Sequence, residues 1–408
     1  MAESIKDKVA IVGMGCTRFG ELWDMDIVDL IVDAAYEAFE DAGVGPKDIQ
    51  AAWVGYADIN SATTAGVLCE ALQLQYIPAT HVENACGTGA DTVRGAAFAL
   101  AAKTYDLVLA LGFEKLKDAG FGGLGVVFPY KWHPIYGAST EIGGGPGRYA
   151  LAATRYFMKY GLSREEGREM VCKVSVKSHY NGSRNPKAHL RRAITLEQAL
   201  NAPIIAWPLG LFDCCGVSDG ASAAIMCRTE DAKKFRPNGD FITIKGTSIC
   251  CGPGWGKEKT DYDFTIWDET AVAAKEAYAM AGIKNPRKEL SLAEVHDCFS
   301  IAEIIACESM GICERGHAKE DIDSGAWSQE GEIPINISGG LKSFGHPIGA
   351  SGGREVYEFY KQFQGKAEEP SRQLKDVKLG LAHNQGGHPG RFACGITIVG
   401  EPPAHKYK

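Results

Sequence analysis

The chain has 408 residues, too many for one simple core and enough for two domains or a duplicated one. Hydrophobic residues make up 45% and charged residues 23%, as in an ordinary globular protein, and a net charge of −8 with no long polybasic run argues against nucleic acid as a partner. No apolar run nears the ~20 residues a membrane helix needs, and the polar start from Met1 to Lys8 lacks the apolar core of a secretory signal. These features predict a cytoplasmic chain with no membrane attachment. The 13 cysteines are scattered, with neighbours at Cys214-Cys215 and Cys250-Cys251 but no Cys-x-x-Cys or zinc spacing. Most read as small buried apolar residues in a reducing compartment, and no metal site is expected.

In chain order, Val9 to Gly13 reads as a buried strand. Ile27 to Ala42 reads as a helix closed by Gly43, and Ala51 to Gly55 as a second strand. A small-residue helix from Gly95 to Lys103 precedes a third strand from Leu107 to Gly112. This alternation predicts an α/β protein with a mostly parallel sheet and helices on both faces.

Ala34 to Gly43 is similar to Ala273 to Gly282: each has an alanine-rich face, an aromatic at the same place and a closing glycine. A Gly/Cys-containing apolar strand precedes each (Ile11 to Cys16, Ile242 to Cys251), and an amphipathic strand follows, ending near Gly55 and at Val295. The repeat predicts two α/β halves, residues 1–236 and 237–408, meeting at the linker Lys233 to Gly239. Residues from about 116 to 208 fit neither half and read as an inserted loop domain covering a site.

Four segments carry chemistry. Cys86, in Glu83-Asn84-Ala85-Cys86-Gly87-Thr88-Gly89, stands where a helix can begin, a setting that favours a thiolate. The two glycines let a carbonyl reach backbone amides; a buried cysteine in a glycine-rich turn is the plainer alternative. His296-Asp297-Cys298-Phe299 puts an imidazole and a thiol two residues apart between a strand and the helix from Ile301 to Met310. His346 sits among the glycines of the stretch Asn336 to Gly352, aimed by Pro347. His383-Asn384-Gln385-Gly386-Gly387-His388 reads as a glycine-rich turn before a last strand from Cys394 to Val399; its histidines either line a site or shape the loop.

These segments resemble the thiolase superfamily, and the resemblance spans nearly the whole chain. Asn336 to Gly352 is similar to its NxxGGxxxxGHPxGASG signature, and Glu83 to Cys86 to its nucleophile motif. His296 to Phe299 resembles the HDCF motif of the sterol-carrier-protein type branch, as does Asp213 to Ala221, a structural segment there. Many members have a C-terminal Cys-x-Gly acid/base; here that place reads His383-Asn384-Gln385-Gly386.

The resemblance implies a duplicated five-layered α-β-α-β-α fold with an inserted loop domain. It implies a CoA-dependent cleavage of a 3-oxoacyl-CoA, or the reverse Claisen condensation, through an acyl-enzyme on Cys86. His346 would be the base, His296 would support the enolate oxygen, and Cys298 would move the proton. Asn384, His383 and Gly387 are candidates for oxyanion or loop support, and Lys131, His133, Arg184 and Ser351 for contacts to substrate or CoA. The basic stretch Lys177 to Arg192 would meet the nucleotide phosphates or stand as a solvated face. CoA would be a co-substrate, with no tightly bound cofactor. Partners would be CoA and acyl-CoA, a second copy or larger assembly, and a small zinc-binding OB-fold subunit. Within the family the chain is similar to subunits acting on 2-benzoylsuccinyl-CoA, giving benzoyl-CoA and succinyl-CoA. Lys115, Lys117, Lys131, His133 or Arg148 would then hold the extra carboxylate, and Phe128 to His133 would pack on the aryl group or form core. Competing readings are an acetoacetyl-CoA thiolase, a phenolic C-acetyltransferase, and an aldolase-type or scaffold subunit without acyl transfer.

Overall fold

The computed structural model describes residues 4–58, 62–120, 144–254, 261–367 and 369–403. Lys131, His133 and the Phe128 to His133 segment lie outside them. Among the described residues nine strands join one sheet: β1 (Val9–Cys16), β2 (Ala51–Gly55), β3 (Ala79–Val82), β4 (Leu107–Lys115), β5 (Asp219–Arg228), β6 (Ile242–Cys251), β7 (Leu292–Val295), β8 (Leu379–His388) and β9 (Arg391–Gly400). Their order is β3-β2-β4-β5-β1-β6-β9-β8-β7. Leaving out the edge strand β3, the second half repeats the order of the first in mirror sense, as a duplicated unit would. Within the sheet the two half-sheets join through two residue pairs, Ala10 with Thr243 and Ile11 with Ile242. Parallel pairing is found at β3-β2-β4 and at β8-β7, while the central strands run antiparallel.

The helices used below are α1 (Ile27–Ala42), α2 (Thr88–Ala101), α3 (Gly144–Lys159), α4 (Arg164–Ser183), α5 (Asp268–Ala281), α6 (Ser300–Ser309) and α7 (Ser351–Phe363). Helices α2 and α7 pack on each other and touch strands of both half-sheets, whereas α1 covers β1 and α5 covers β6 on the outside. The layers are therefore α-β-α-β-α, as the resemblance implies. The repeated helices α1 and α5 bury matching alanines and end at left-handed Gly43 (φ 68°) and Gly282 (φ 82°). No helix among the described residues is long and apolar enough to cross a membrane.

Two local readings change. The small-residue helix begins at Thr88 rather than Gly95, because Asn84 N–H bonds to the Thr88 hydroxyl (2.9 Å) and the turn closes early. Cys86 is left two residues ahead of it. The segment His383 to His388 is strand rather than turn: it pairs with β9 as far as His388 opposite Arg391, leaving Pro389 and Gly390 to make the bend. Strand geometry is possible there because Gly386 has no side chain; a Cβ would lie 2.1 Å from the Asn84 carbonyl oxygen and 2.8 Å from the Cys86 nitrogen.

The central layer is closed by glycines. A Cβ on Gly112 of β4 would stand 1.9 Å from the Gly349 carbonyl oxygen, and one on Gly89 of α2 would stand 2.7 Å from the Gly352 nitrogen. Both contacts are to backbone, which cannot rotate aside. We expect Gly112→Ala to cost about 1–3 kcal/mol by overpacking, read as a lower midpoint in urea denaturation; an unchanged midpoint would mean that the layers can part without penalty.

Candidate active site

Cys86 is presented by a strained turn. Ala85 before it has φ 47°, a left-handed conformation that a residue with a side chain adopts at a cost. Backbone bonds from Gly87 N–H to Asn84 O (3.0 Å) and from Thr88 N–H to Ala85 O (3.0 Å) hold the turn, and the Asn84 amide donates to Asp91 (2.8 Å). The helix N-terminus does not produce a resting thiolate. Burial pushes the Cys86 thiol up, and neighbouring Cys215, Glu114 and Glu83 push the same way. The resting group is a thiol that needs a base.

Two imidazoles lie beside it. The Cys86 sulfur and a nitrogen each of His296 and His346 lie within 4.8 Å of one another. No other grouping of three His, Cys, Asp or Glu donors among the described residues is close enough to hold a metal ion. His346 is buried, and burial together with Arg354 lowers its pKa to about 4, so its ring is neutral at pH 7. Ser351, fully buried at the start of α7, donates its hydroxyl proton to the Pro347 carbonyl (3.0 Å) and takes the His346 Nδ1–H at 2.7 Å. This network assigns the proton to Nδ1. Nε2, buried and without a partner, keeps its lone pair. Ser351, expected to contact substrate or CoA, is here engaged with His346 and Pro347.

His296 and Cys298 follow the end of β7. Asn336, at φ 56°, clamps that end by accepting from Val295 N–H (2.7 Å) and donating to Val295 O (3.0 Å). The next turn is held by fully buried ion pairs. Lys342 meets Asp297 at 3.0 Å, and Arg354 meets Glu294 at 2.7 Å. The His296 and His346 rings stand edge to face, with centroids 5.1 Å apart. Burial, then His346, keeps His296 far below the ordinary histidine range, and its Nδ1 has no partner. Burial pushes Cys298 up, with Cys215 and Cys86 adding to it.

His383 shapes the site from behind. Its Nδ1 accepts from the His296 N–H (3.3 Å), and its Nε2–H faces the Thr270 hydroxyl (3.4 Å), which donates to Gln385 (3.1 Å). The Asn384 amide donates to Glu355 (2.8 Å) while its Oδ1 has no partner. Gly387 has φ 104°, and a Cβ there would meet the Arg391 oxygen. The glycine lying on the nucleophile turn is Gly386 instead, one residue earlier than expected. His388 turns to the Pro389 carbonyl.

Several expected contacts are elsewhere. Arg184 is engaged by Gln329 (2.7 Å) and stacks on Tyr180. Lys115 pairs with Asp219 (2.8 Å) and Asp118 (2.8 Å), and Lys117 with Glu21 (2.6 Å). Arg148 is buried. Three residues at the site were not picked out as functional by the sequence: Cys215, which lies close enough to raise both thiols; Glu114, buried and raised to about 7; and Tyr149 of α3, whose ring lies 4.5 Å from that of Phe299, the neighbour of Cys298. Only the resemblance of Asp213 to Ala221 to the family marked any of them, and it marked Cys215 as structural.

The buried imidazoles give a pH dependence of stability. His346 falls to about 4 and His383 to about 3, each from 6.5, both by burial. Between those values and 6.5 the unfolded chain binds protons that the native state does not, so their stabilisation is full above pH 6.5 and is lost as pH falls. Glu114, raised by burial to about 7, acts in the opposite sense. The difference between variant and parent isolates one group: His383→Gln should remove about 2 kcal/mol of the stability change between pH 7 and pH 5. An equal stability change between the two pH values in variant and parent, read by urea denaturation, would contradict a buried neutral His383.

Comparison with known proteins agrees with this geometry. Residues 9–126 match the family model for the thiolase N-terminal domain, and residues 257–396 match the one described as thiolase C-terminal domain-like. The chain is 35% identical over 394 residues to an acetyl-CoA acetyltransferase of Methanothermobacter thermautotrophicus, covering 95% of this chain and 98% of that one. It is 29% identical over 389 residues to the benzoylsuccinyl-CoA thiolase subunit BbsB of Thauera aromatica, covering 94% and 96%. The solved structure of an Ltp2-ChsH2(DUF35) aldolase superposes with a TM-score of 0.82 at 25% identity, over 99% of this chain and 100% of that one. With both halves matched and its His296-Asp297-Cys298-Phe299 segment retained, the chain belongs to the thiolase superfamily, in its sterol-carrier-protein type branch, and is an acyltransferase.

Proposed function

We propose that Cys86 is the acyl-accepting nucleophile, His346 its base, His296 the support for the enolate oxygen and Cys298 the proton carrier. The observation that carries this reading is the convergence of the Cys86 sulfur with two imidazoles inside 4.8 Å, with the His346 Nε2 open. His346 Nε2 takes the Cys86 proton as the sulfur attacks the ketone carbon of a 3-oxoacyl-CoA. The carbon–carbon bond breaks and its electron pair passes to the departing acyl-CoA as an enolate. His296 faces the enolate oxygen, and Cys298 delivers a proton to the carbon. A CoA thiol then gives its proton to the Cys298 thiolate and attacks the thioester; the Cys86 sulfur leaves and recovers its proton from His346 as the new acyl-CoA departs. The reverse sequence is a Claisen condensation.

For the acyl group we favour acetyl, with acetoacetyl-CoA as substrate. Support comes from the acetyl-CoA acetyltransferase relative and from Lys115 and Lys117, which face matching acids and so offer little to a substrate carboxylate. The 2-benzoylsuccinyl-CoA reading is favoured by a different observation: Tyr149, Phe299, Trp267 and Phe392 form an aromatic cluster beside Cys298. Thiolysis rates with the two thioesters decide between them, and a preference for 2-benzoylsuccinyl-CoA would overturn the acetyl assignment. A reaction that proceeds without CoA would instead favour phenolic acetyl transfer or aldol chemistry.

The chain also reads as two halves meeting at residues 236 and 237, working in the cytoplasm as a dimer or larger assembly. A partner subunit is supported by the relative named as a subunit and by the two-component name of the aldolase structure; that it is a small zinc-binding OB-fold protein is what the family resemblance implies.

Cys86→Ala should abolish the mass shift left by acyl-CoA, and a persistent adduct would refute the nucleophile assignment. Cys298→Ala should still acylate Cys86 yet lose cleavage and condensation by two or more orders of magnitude; normal turnover would mean that another group moves the proton.

A further inference from the structure

Glu114, next to last in β4, is fully buried. Its carboxylate receives three backbone N–H groups from two distant segments. Asp58 donates to Oε1 at 2.8 Å, Ala57 to both oxygens at 3.2 and 3.1 Å, and Gly349 to Oε2 at 2.9 Å. Ala57 and Asp58 lie on the chain leaving β2, and Gly349 in the turn that follows His346. Three donors suit the ionised carboxylate, which accepts at both oxygens.

The turn itself is tightly seated. Ala350 and Ser351 N–H both donate to the Pro347 carbonyl (3.0 and 3.1 Å), which also takes the Ser351 hydroxyl. A Cβ on Gly349 would lie 2.4 Å from the Gly55 oxygen and 2.5 Å from the Phe113 oxygen, so the turn rests on β2 and β4. Ser351 is in its turn the partner of His346 Nδ1 (2.7 Å). Movement at Gly349 therefore reaches the imidazole through Pro347 and Ser351.

We propose that Glu114 is a positioning residue for the base: its carboxylate fixes the Gly349 end of the turn and so aims His346 Nε2 at the Cys86 sulfur. This rests on His346 acting as the base, as proposed above. An electrostatic role for Glu114 has the wrong sign. Its negative charge disfavours the Cys86 thiolate and adds to the burial that already pushes that thiol up. The charge that counts against the nucleophile is kept where it seats the turn of the base.

The two roles give opposite results in the full chain carrying Glu114→Gln, which keeps the shape and removes the charge. Its one oxygen cannot serve all three donors, and its amide nitrogen sets N–H against N–H. The reading is Cys86 acetylation by acetyl-CoA, quenched rapidly and followed by mass. In that step the Cys86 proton passes to His346, the acetyl group moves from the CoA sulfur to Cys86, and the departing CoA sulfur takes the proton. Positioning predicts an acetylation rate lower by about tenfold or more at pH 7, with the half-saturating acetyl-CoA concentration changed by less than about threefold. An equal or faster rate would overturn the proposal.

A double-mutant cycle with His346→Gln distinguishes positioning from general damage to the fold. If Glu114 acts through His346, adding Glu114→Gln to His346→Gln should change the residual rate by less than about twofold. A further loss of about tenfold would overturn the proposal and leave Glu114 as structural. Where Glu114→Gln gives no cooperative urea transition, Glu114→Asp carries the same cycle, because it keeps the charge and withdraws it by one methylene. It too should acetylate more slowly than the parent, and a parental rate would overturn the proposal. His346→Gln alone separates the two claims. If it acetylates at the parental rate, the base assignment fails; if it is slow while Glu114→Gln matches the parent, only the role of Glu114 fails.

Discussion

The contact on which the rest depends is the meeting of two glycine-rich helix starts in the middle of the molecule. Cys86 precedes α2 and His346 precedes α7, and the two lie far apart in sequence. They come within reach only because Gly89 lies against Gly352, and Gly112 against Gly349, with no side chain on either side. Any larger residue would separate the layers by the width of a methyl group, and the sulfur and imidazole would part by a similar distance. The glycines that look like loop punctuation in the sequence are interior packing residues in the fold.

Around that contact the chain places charges where burial should forbid them. Glu294 with Arg354 and Asp297 with Lys342 are buried almost completely, yet each acid also accepts further hydrogen bonds, from Ser338 in one case and Leu341 in the other. Such pairs give little net stability against apolar replacements, but breaking one leaves a stranded charge and is severe. Their value here is geometric. They tie the turn after β7, which bears His296 and Cys298, to the turn that bears His346, so that the two cannot drift independently. Asn336 completes the clamp by standing in for a strand residue beside Val295.

Much of this was readable from the residues. The repeat of Ala34 to Gly43 in Ala273 to Gly282 anticipated the mirrored strand order, since a duplicated unit brings its own sheet edge and its own covering helix. The glycines around Cys86 and His346 mark close backbone approach, and it is the family resemblance that pairs the two residues. What was not readable has a common cause: it depends on contacts between distant segments. Ser351 looked like part of a binding loop, and its role as hydrogen-bond partner of His346 appears only once α7 is in place. Tyr149 sits in an unremarkable helical stretch, and nothing local distinguishes it from the other aromatics of the inserted region. His383 to His388 carries two glycines, a turn signal that β8 overrides because the absent side chain of Gly386 makes room for the Cys86 backbone.

The protonation states follow from the same packing. A solvated Cys–His pair can rest as thiolate and imidazolium, but burial penalises both charges, and here it drives the thiol up and His346 down to about 4. The resting pair is neutral. In the proposed reaction charge appears when a substrate carbonyl arrives to accept it, so Cys86 is not spent on stray electrophiles or oxidants, which attack thiolates far faster than thiols. The second thiol has the opposite requirement. In the proposed reaction it holds a proton until an enolate forms, and burial, which pushes this thiol well up, keeps that proton in place until then.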